Sequence, residues 1–346
     1  MSERRAPSSA LTSFVVGSRY LPVYIALVLL VIVALIWAPQ TLGRVALRAI
    51  APYAAVLGIA ALGQMLVVMT GGIDLSVPGT MSLAAVIMVG VGDGSNENIL
   101  IAIAIAIAVA AVIGLANGVL IGGLKLNPLI TTLAVGLIVI GVVNRYGSSF
   151  PVQSPVPRGL SDWTSNRILG VSPVFWLGAG LTLVLIVGLR YTAIGRRFQA
   201  VGANPVASNV VGVRVNLNQI LVYVVAAVFY ASAGVTLAGL LRNPGVAVGT
   251  QYLLGPIAAV VIGGASLTGG LASPLSTFVA ALFLTGLNQM LRTMGLPTSL
   301  QFVVFGLVII GGMLVSGDRI IRVVERVLRE RRRPESSRKQ PVAGPR

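Results

Sequence analysis

The feature that most constrains this chain is a run of ten apolar blocks, at about 21–38, 49–70, 76–92, 99–121, 127–146, 173–190, 218–241, 252–265, 271–291 and 298–316. A bilayer core about 30 Å thick takes roughly 20 apolar residues in a helix, and most of the blocks reach that length. Charged residues make up only 10% of the 346, far below the roughly one quarter with which soluble domains cover their surface. The fold class that follows is all-α: a polytopic membrane helical bundle of about ten transmembrane helices. The blocks 76–92 and 252–265 are short and flanked by glycine, which predicts broken or re-entrant helices there. The run from Ile99 to Ala111 is nearly pure Ile, Ala and Val and is expected to face lipid.

An even number of spans places both termini on one side. With both ends cytoplasmic, the inner side holds Arg4, Arg5, Arg19, Lys125, Arg190, Arg196, Arg197, Arg214 and the basic tail, while the outer side holds Arg44, Arg48, Arg145, Arg158, Arg167, Arg242 and Arg292. Positive charge favours the cytoplasmic side, so this orientation is the expected one. The chain then divides into a cytoplasmic N-terminal segment (1–20), a transmembrane domain (21–318) and a basic cytoplasmic tail (319–346). The tail is expected to lie disordered or against anionic headgroups. The formal net charge of +16 therefore points to a membrane surface, with no nucleic-acid partner. The first block is too long for a signal-peptide core, and Trp37-Ala38-Pro39 makes a poor cleavage site, which predicts an uncleaved first helix. Two loops are long, about 147–172 outside and 190–217 inside; Ser161 and Ser208 suggest themselves as probe positions on the two sides.

The chain contains neither cysteine nor histidine, which removes disulfides, thiolate chemistry and imidazole bases. Its only lysines are Lys125 and Lys339, and neither follows glycine, so no P-loop exists. Apart from Asp74 every acid falls in a loop or tail, so a proton relay is missing too. The expectation is a transport subunit with no catalytic residue, metal or cofactor of its own.

Three glycine-rich segments interrupt the apolar pattern. The first, Gly71-Gly72-Ile73-Asp74-Leu75-Ser76, offers a turn followed by two side chains able to cap the next helix; gating is the alternative role for Asp74. The second runs from Gly195, Arg196, Arg197 and Phe198 through Gly202, Asn204, Pro205 and Ala207 to Gly212. It reads as a short cytoplasmic helix with glycine hinges, Asn204-Pro205 starting a new turn. Its apolar residues Phe198, Val201, Val206, Val210 and Val211 suit a docking surface. The third holds Gly263, Gly264, Ser266, Gly269 and Gly270, and faintly echoes the first as a trace of an internal repeat. Within the blocks, Gln64, Asn117, Asn144, Asn288 and Gln289 can either hydrogen-bond neighbouring helices or line a polar path.

In order and spacing these three segments resemble the permease subunits of bacterial ABC sugar importers of the ribose/xylose/galactose type, over about residues 20–318. Departures are Pro78, where that family usually has glycine, and Leu271-Ala272-Ser273-Pro274 after the third segment. The resemblance implies a second permease copy or paralogue, a cytoplasmic ATPase that binds ATP and magnesium, a periplasmic or extracellular solute-binding protein, and a place in the bacterial inner membrane. It implies alternating access, with 195–212 transmitting the motion of the ATPase and the other two segments near the inner gate. A branched-chain amino-acid permease of the same architecture and a stand-alone secondary carrier are the competing readings.

Overall fold

The computed structural model describes residues 9–147 and 155–316. Arg4, Arg5, the basic tail and residues 148–154 of the 147–172 loop lie outside the described residues. The helices are α1 (Ser9–Trp37), α2 (Arg44–Met69), α3 (Val77–Gly90), α4 (Ile99–Gly118), α5 (Pro128–Gly147), α6 (Arg158–Ser165) and α7 (Pro173–Tyr191). They continue with α8 (Ala193–Ala203), α9 (Pro205–Val210), α10 (Val215–Leu241), α11 (Gly255–Ile262), α12 (Pro274–Thr293) and α13 (Thr298–Ser316). Among the described residues seven helices are long and apolar enough to cross a membrane, and α3, α11 and α13 supply shorter apolar ones. The chain is an all-α polytopic membrane bundle. The two short blocks are short helices as expected: at 1.5 Å per residue the 8 residues of α11 rise only about 12 Å and cannot span.

Helices α2 and α10 form the centre. From Ala54 to Met69 every residue of α2 is buried, as an all-round apolar helix must be. Helices α3, α4, α7, α11 and α12 pack around this pair, and α5 and α1 pack outside them. The α4–α10 contact has a simple origin in sequence. Ala102, Ala106, Ala110, Gly114, Gly118 and Gly122 recur every fourth residue, and all are buried. A Cβ at Gly118 would stand 2.7 Å from the Ile220 Cα, so only a small-residue stripe allows the backbones this close. The expectation that 99–111 faces lipid therefore holds for one side: Leu100, Ile101 and Ile105 are exposed, while Ala102, Ala106 and Ala110 are buried.

The bundle has two distinct ends. At one, the loop after α2, the α4–α5 turn, helices α8 and α9, and the α11–α12 turn come together with Arg19. Lys125 Nζ donates to Asn216 Oδ1 (2.6 Å), and Arg19 Nε donates to the Gly264 carbonyl (2.8 Å). At the other, Val156 N–H donates to the Arg242 carbonyl (2.9 Å) and Gly159 N–H to Asn96 Oδ1 (2.7 Å). The two prolines that depart from the family pattern sit where proline is favoured. Pro78 lies at the start of α3, and Pro274 opens α12 behind a Ser273 cap that accepts from Ser276 N–H.

Candidate functional site

The three glycine-rich segments, up to two hundred residues apart in sequence, meet at one end of the bundle. The first begins as a helix stop. Gly71 has φ +84°, its N–H donates to the Val68 carbonyl, and Gly72 N–H donates to the Val67 carbonyl. This is a Schellman cap, which needs a residue free to take positive φ. The chain then turns back and runs extended over 72–75 alongside the end of α2, with Gly72, Asp74 and Ser76 buried and Ile73 and Leu75 less so. That alternation is the period of a strand, and among the described residues no second strand pairs with it.

Side chains take the place of the missing strand. Gln64, fully buried, lies five residues before the end of α2, about 7.5 Å along the axis. One orientation of its amide satisfies every neighbour. The oxygen accepts from Asp74 N–H (3.1 Å), and the nitrogen donates to the Asp74 carbonyl (3.0 Å) and to the Tyr230 hydroxyl (3.1 Å). From the other side Thr132 Oγ1 accepts from Leu75 N–H (2.9 Å), while its own proton goes to the Pro128 carbonyl (2.8 Å), with the Ile73 carbonyl at 3.3 Å. Asp74 Oδ1 accepts from Ser76 N–H (2.8 Å) and Ser76 Oγ (2.6 Å), and Asn117 Nδ2 donates to Ser76 Oγ (2.9 Å). Asp74 thus binds the backbone just ahead of α3. Ser76 makes no side-chain cap, contrary to expectation, because its hydroxyl is directed to Asp74. The site also lies inside the packed core: Asp74 is 1% exposed. Tyr223 closes it, its hydroxyl 2.5 Å from where a Cβ at Gly72 would sit. Any side chain at position 72 would displace it.

The second segment is two helices, α8 and α9. Asn204 Oδ1 accepts from Ala207 N–H (2.9 Å), so Asn204 and Pro205 start α9 as expected. The glycines differ from the hinges foreseen. Gly195 allows α8 to cross the end of α7 against the backbone of Gly188 and Leu189, and Gly202 presses on the Met69 carbonyl. Gly212, at φ +83°, ends α9. The apolar residues divide. Phe198 and Val201 are buried, whereas Val206, Val210 and Val211 on and after α9 are 76%, 82% and 76% exposed. Arg196 and Arg197 are exposed beside them.

The third segment completes the junction. Gly270 N–H donates to the Met69 carbonyl (2.8 Å), and a Cβ at Gly202 would stand 2.9 Å from that nitrogen. Gly269 and Gly270 both have positive φ, and a Cβ on Gly269 would lie 2.6 Å from the Gly202 carbonyl. Ser266 Oγ pairs with Thr268 Oγ1 at 2.8 Å. The echo between the first and third segments is real in chemistry but shifted in register. Both contain a Schellman cap, but the positive-φ residue is the first glycine in Gly71-Gly72 and the second in Gly263-Gly264.

The five polar candidates separate. Gln64 and Asn117 both hold the 71–76 segment. Asn144 is exposed on α5, and Asn288 and Gln289 are partly exposed on α12, helices that pack on different partners. Tyr223, Tyr230 and Thr132 were not foreseen; their aromatic or β-branched character reads as ordinary span composition until their partners are known.

A family model described as branched-chain amino acid transport system / permease component matches residues 46–313. The autoinducer 2 import system permease protein LsrC of Klebsiella pneumoniae is 34% identical over 324 residues, covering 94% of this chain and 92% of the relative. The ribose import permease protein RbsC of Escherichia coli K12 is 32% identical over 264 residues, or 75% and 82% of the two chains. The galactose/methyl galactoside import permease protein MglC of the same strain is 31% identical over 306 residues, or 83% and 91%. No solved structure matches this chain.

Proposed function

This chain belongs to the branched-chain amino acid transport system / permease component family, and from that premise we propose that it is the permease subunit of an ABC importer for a monosaccharide or similar polyol. The relatives named above are import permeases for ribose, for galactose and methyl galactoside, and for autoinducer 2, which favours a sugar-like cargo over an amino acid. The observation that carries the mechanism is the backbone junction of Met69, Gly202 and Gly270. Force applied to α8 and α9 meets the end of α2 and the α11–α12 turn without an intervening flexible side chain. The same end of α2 holds Asp74 through Gln64, so a shift of α8 reaches the 71–76 segment within two contacts.

In this reading the junction end faces the cytoplasm, where a separate ATPase chain with its own ATP and magnesium docks on Val206, Val210 and Val211. A solute-binding protein delivers cargo at the opposite end, and a second permease copy or paralogue completes the transporter in the inner membrane. Gln64 and Asn117 are committed to the 71–76 segment, so Asn144, which is exposed, and Asn288 and Gln289, which are partly exposed, are the better candidates for the path. The domain division at about residues 20 and 318 follows from the same orientation. Burying a valine contributes about 1.5–3 kcal/mol, so Val206→Asp with Val210→Asp should weaken capture of the ATPase at least about tenfold. Thermal stability of the purified chain should not change, because both side chains are exposed. ATPase binding and ATP-driven uptake that persist in the double variant would refute this docking surface.

A further inference from the structure

A lateral cleft lies between α4, α7 and α10 near the end of the bundle away from the glycine junction, with α6 across its top. It encloses about 410 Å³. Its α4 wall is the stripe Ile99, Ile103 and Ile107, one residue every fourth position, and Leu177 and Val235 face it from α7 and α10. Two hydroxyls line it, and neither seeks a ligand. Ser232 Oγ donates to the Val228 carbonyl (2.8 Å) and Thr236 Oγ1 to the Ser232 carbonyl (2.9 Å). A lining this poor in polar groups suits neither ordered water nor a sugar.

Helix α6 gives the cleft its orientation. Leu160 and Thr164 pack against Gly239 of α10 and Ser161 is buried, while Arg158 and Asp162 are exposed, and exposed Arg167 follows two residues after the helix. Trp163 is 39% exposed and forms part of the cleft wall. An amphipathic helix with a tryptophan between apolar and wet surroundings marks the headgroup level of a bilayer. Arg158 and Arg167 outnumber the one intervening acid, which suits a phosphate at the same level.

We propose that the cleft is an acyl-chain site, in which a phospholipid of the leaflet at the α6 end inserts one tail between α4 and α7 while its phosphate lies by Arg158 and Arg167. The inference rests on the membrane fold alone and stands whatever the cargo is. Helix α7 leans on α2, α8 and α12 and meets α10 through α6. A tail in the cleft would then fill the wall between α4 and α7 and set how firmly α6 seats on α10.

The test uses the full chain in phosphatidylcholine vesicles whose tails are brominated close to the headgroup, near the depth of Trp163, where bromine quenches tryptophan on contact. Trp37→Phe and Trp176→Phe leave Trp163 as sole reporter; the Ile168 carbonyl that Trp176 Nε1 bonds keeps its second donor, Val171 N–H (3.1 Å). Strong Trp163 quenching is expected, with most of it lost in Ser232→Phe, which plugs the cleft. Ser232→Leu and Thr236→Leu are smaller plugs should the first fail to fold. Brominated phosphatidylglycerol should quench more than the phosphatidylcholine, and Arg158→Gln with Arg167→Gln should remove that preference. Quenching that no plug changes would mean that the tail stays outside the cleft. Absent quenching in the unplugged chain would mean that protein, such as a second copy, fills it. Either result overturns the site, and equal quenching by the two lipids overturns the phosphate contact.

Discussion

Substituting Gln64 with leucine separates two roles for the same side chain. Leucine is similar in size but can neither donate nor accept. It leaves the Asp74 N–H and carbonyl without their partner, inside a core that water does not reach, Gln64 being 0% exposed. Each buried backbone group left unsatisfied costs about 1–3 kcal/mol, so the pair costs about 2–6 kcal/mol. An ordinary side-chain hydrogen bond between membrane helices averages only about 0.6 kcal/mol, because the separated helices find other partners. The larger figure applies here because an extended segment without a neighbouring strand has no helical bond to fall back on. Against a total stability of roughly 5–15 kcal/mol the loss is severe. Denaturant unfolding of the purified chain in mild detergent measures it. Tyr230→Phe removes one bond and should cost about 1 kcal/mol. The double variant should fall short of the sum, since the Tyr230 hydroxyl is no longer stranded. Should Gln64→Leu stay within about 0.5 kcal/mol of the native chain while uptake is lost, the positioning role fails and Gln64 belongs to the cargo path.

Gly202→Ala should destabilise the chain by about 1–3 kcal/mol, because the new methyl meets the Met69 carbonyl and the Gly270 nitrogen, both backbone. Gly180→Ala on α7, where a Cβ meets nothing within 4 Å, should be neutral or stabilising by up to about 1 kcal/mol, and equal costs at the two sites would refute the junction. For orientation, cysteines replace the exposed Ser165 and Asn209 of a chain that has none of its own. An impermeant thiol reagent added to intact spheroplasts should label position 165 and spare 209, and the opposite pattern reverses the topology. Uptake in vesicles should require ATP and the ATPase and survive collapse of the proton gradient; transport by this chain alone, driven by a pH gradient, would overturn the energy source.

Much of the site was legible as composition but not as geometry. The glycine pairs announced turns, and Asn204-Pro205 announced a helix start, because local backbone chemistry decides those. Which glycine of a pair takes positive φ depends on where the preceding helix stops, and that differs by one residue between Gly71 and Gly264. Ser161 and Ser208 seemed natural surface probes, yet both are buried. A hydroxyl in a polar loop gives no hint of the helix face it will occupy.

The sequence by itself determined the solvent, the positions of the apolar helices, and the places where helices must break. These follow from hydropathy and from residues whose backbone preferences act locally. It also contained the α4 stripe Ala102 to Gly122, legible as small residues every fourth position, though not which helix the stripe would meet. Only the tertiary structure brought Met69, Gly202 and Gly270 together and set Gln64 against the backbone of Asp74. Those contacts join segments distant in the chain, and each partner alone has an unremarked local role. An extended segment inside a membrane bundle must have its backbone satisfied by side chains from elsewhere, and a one-dimensional pattern does not show which ones will arrive.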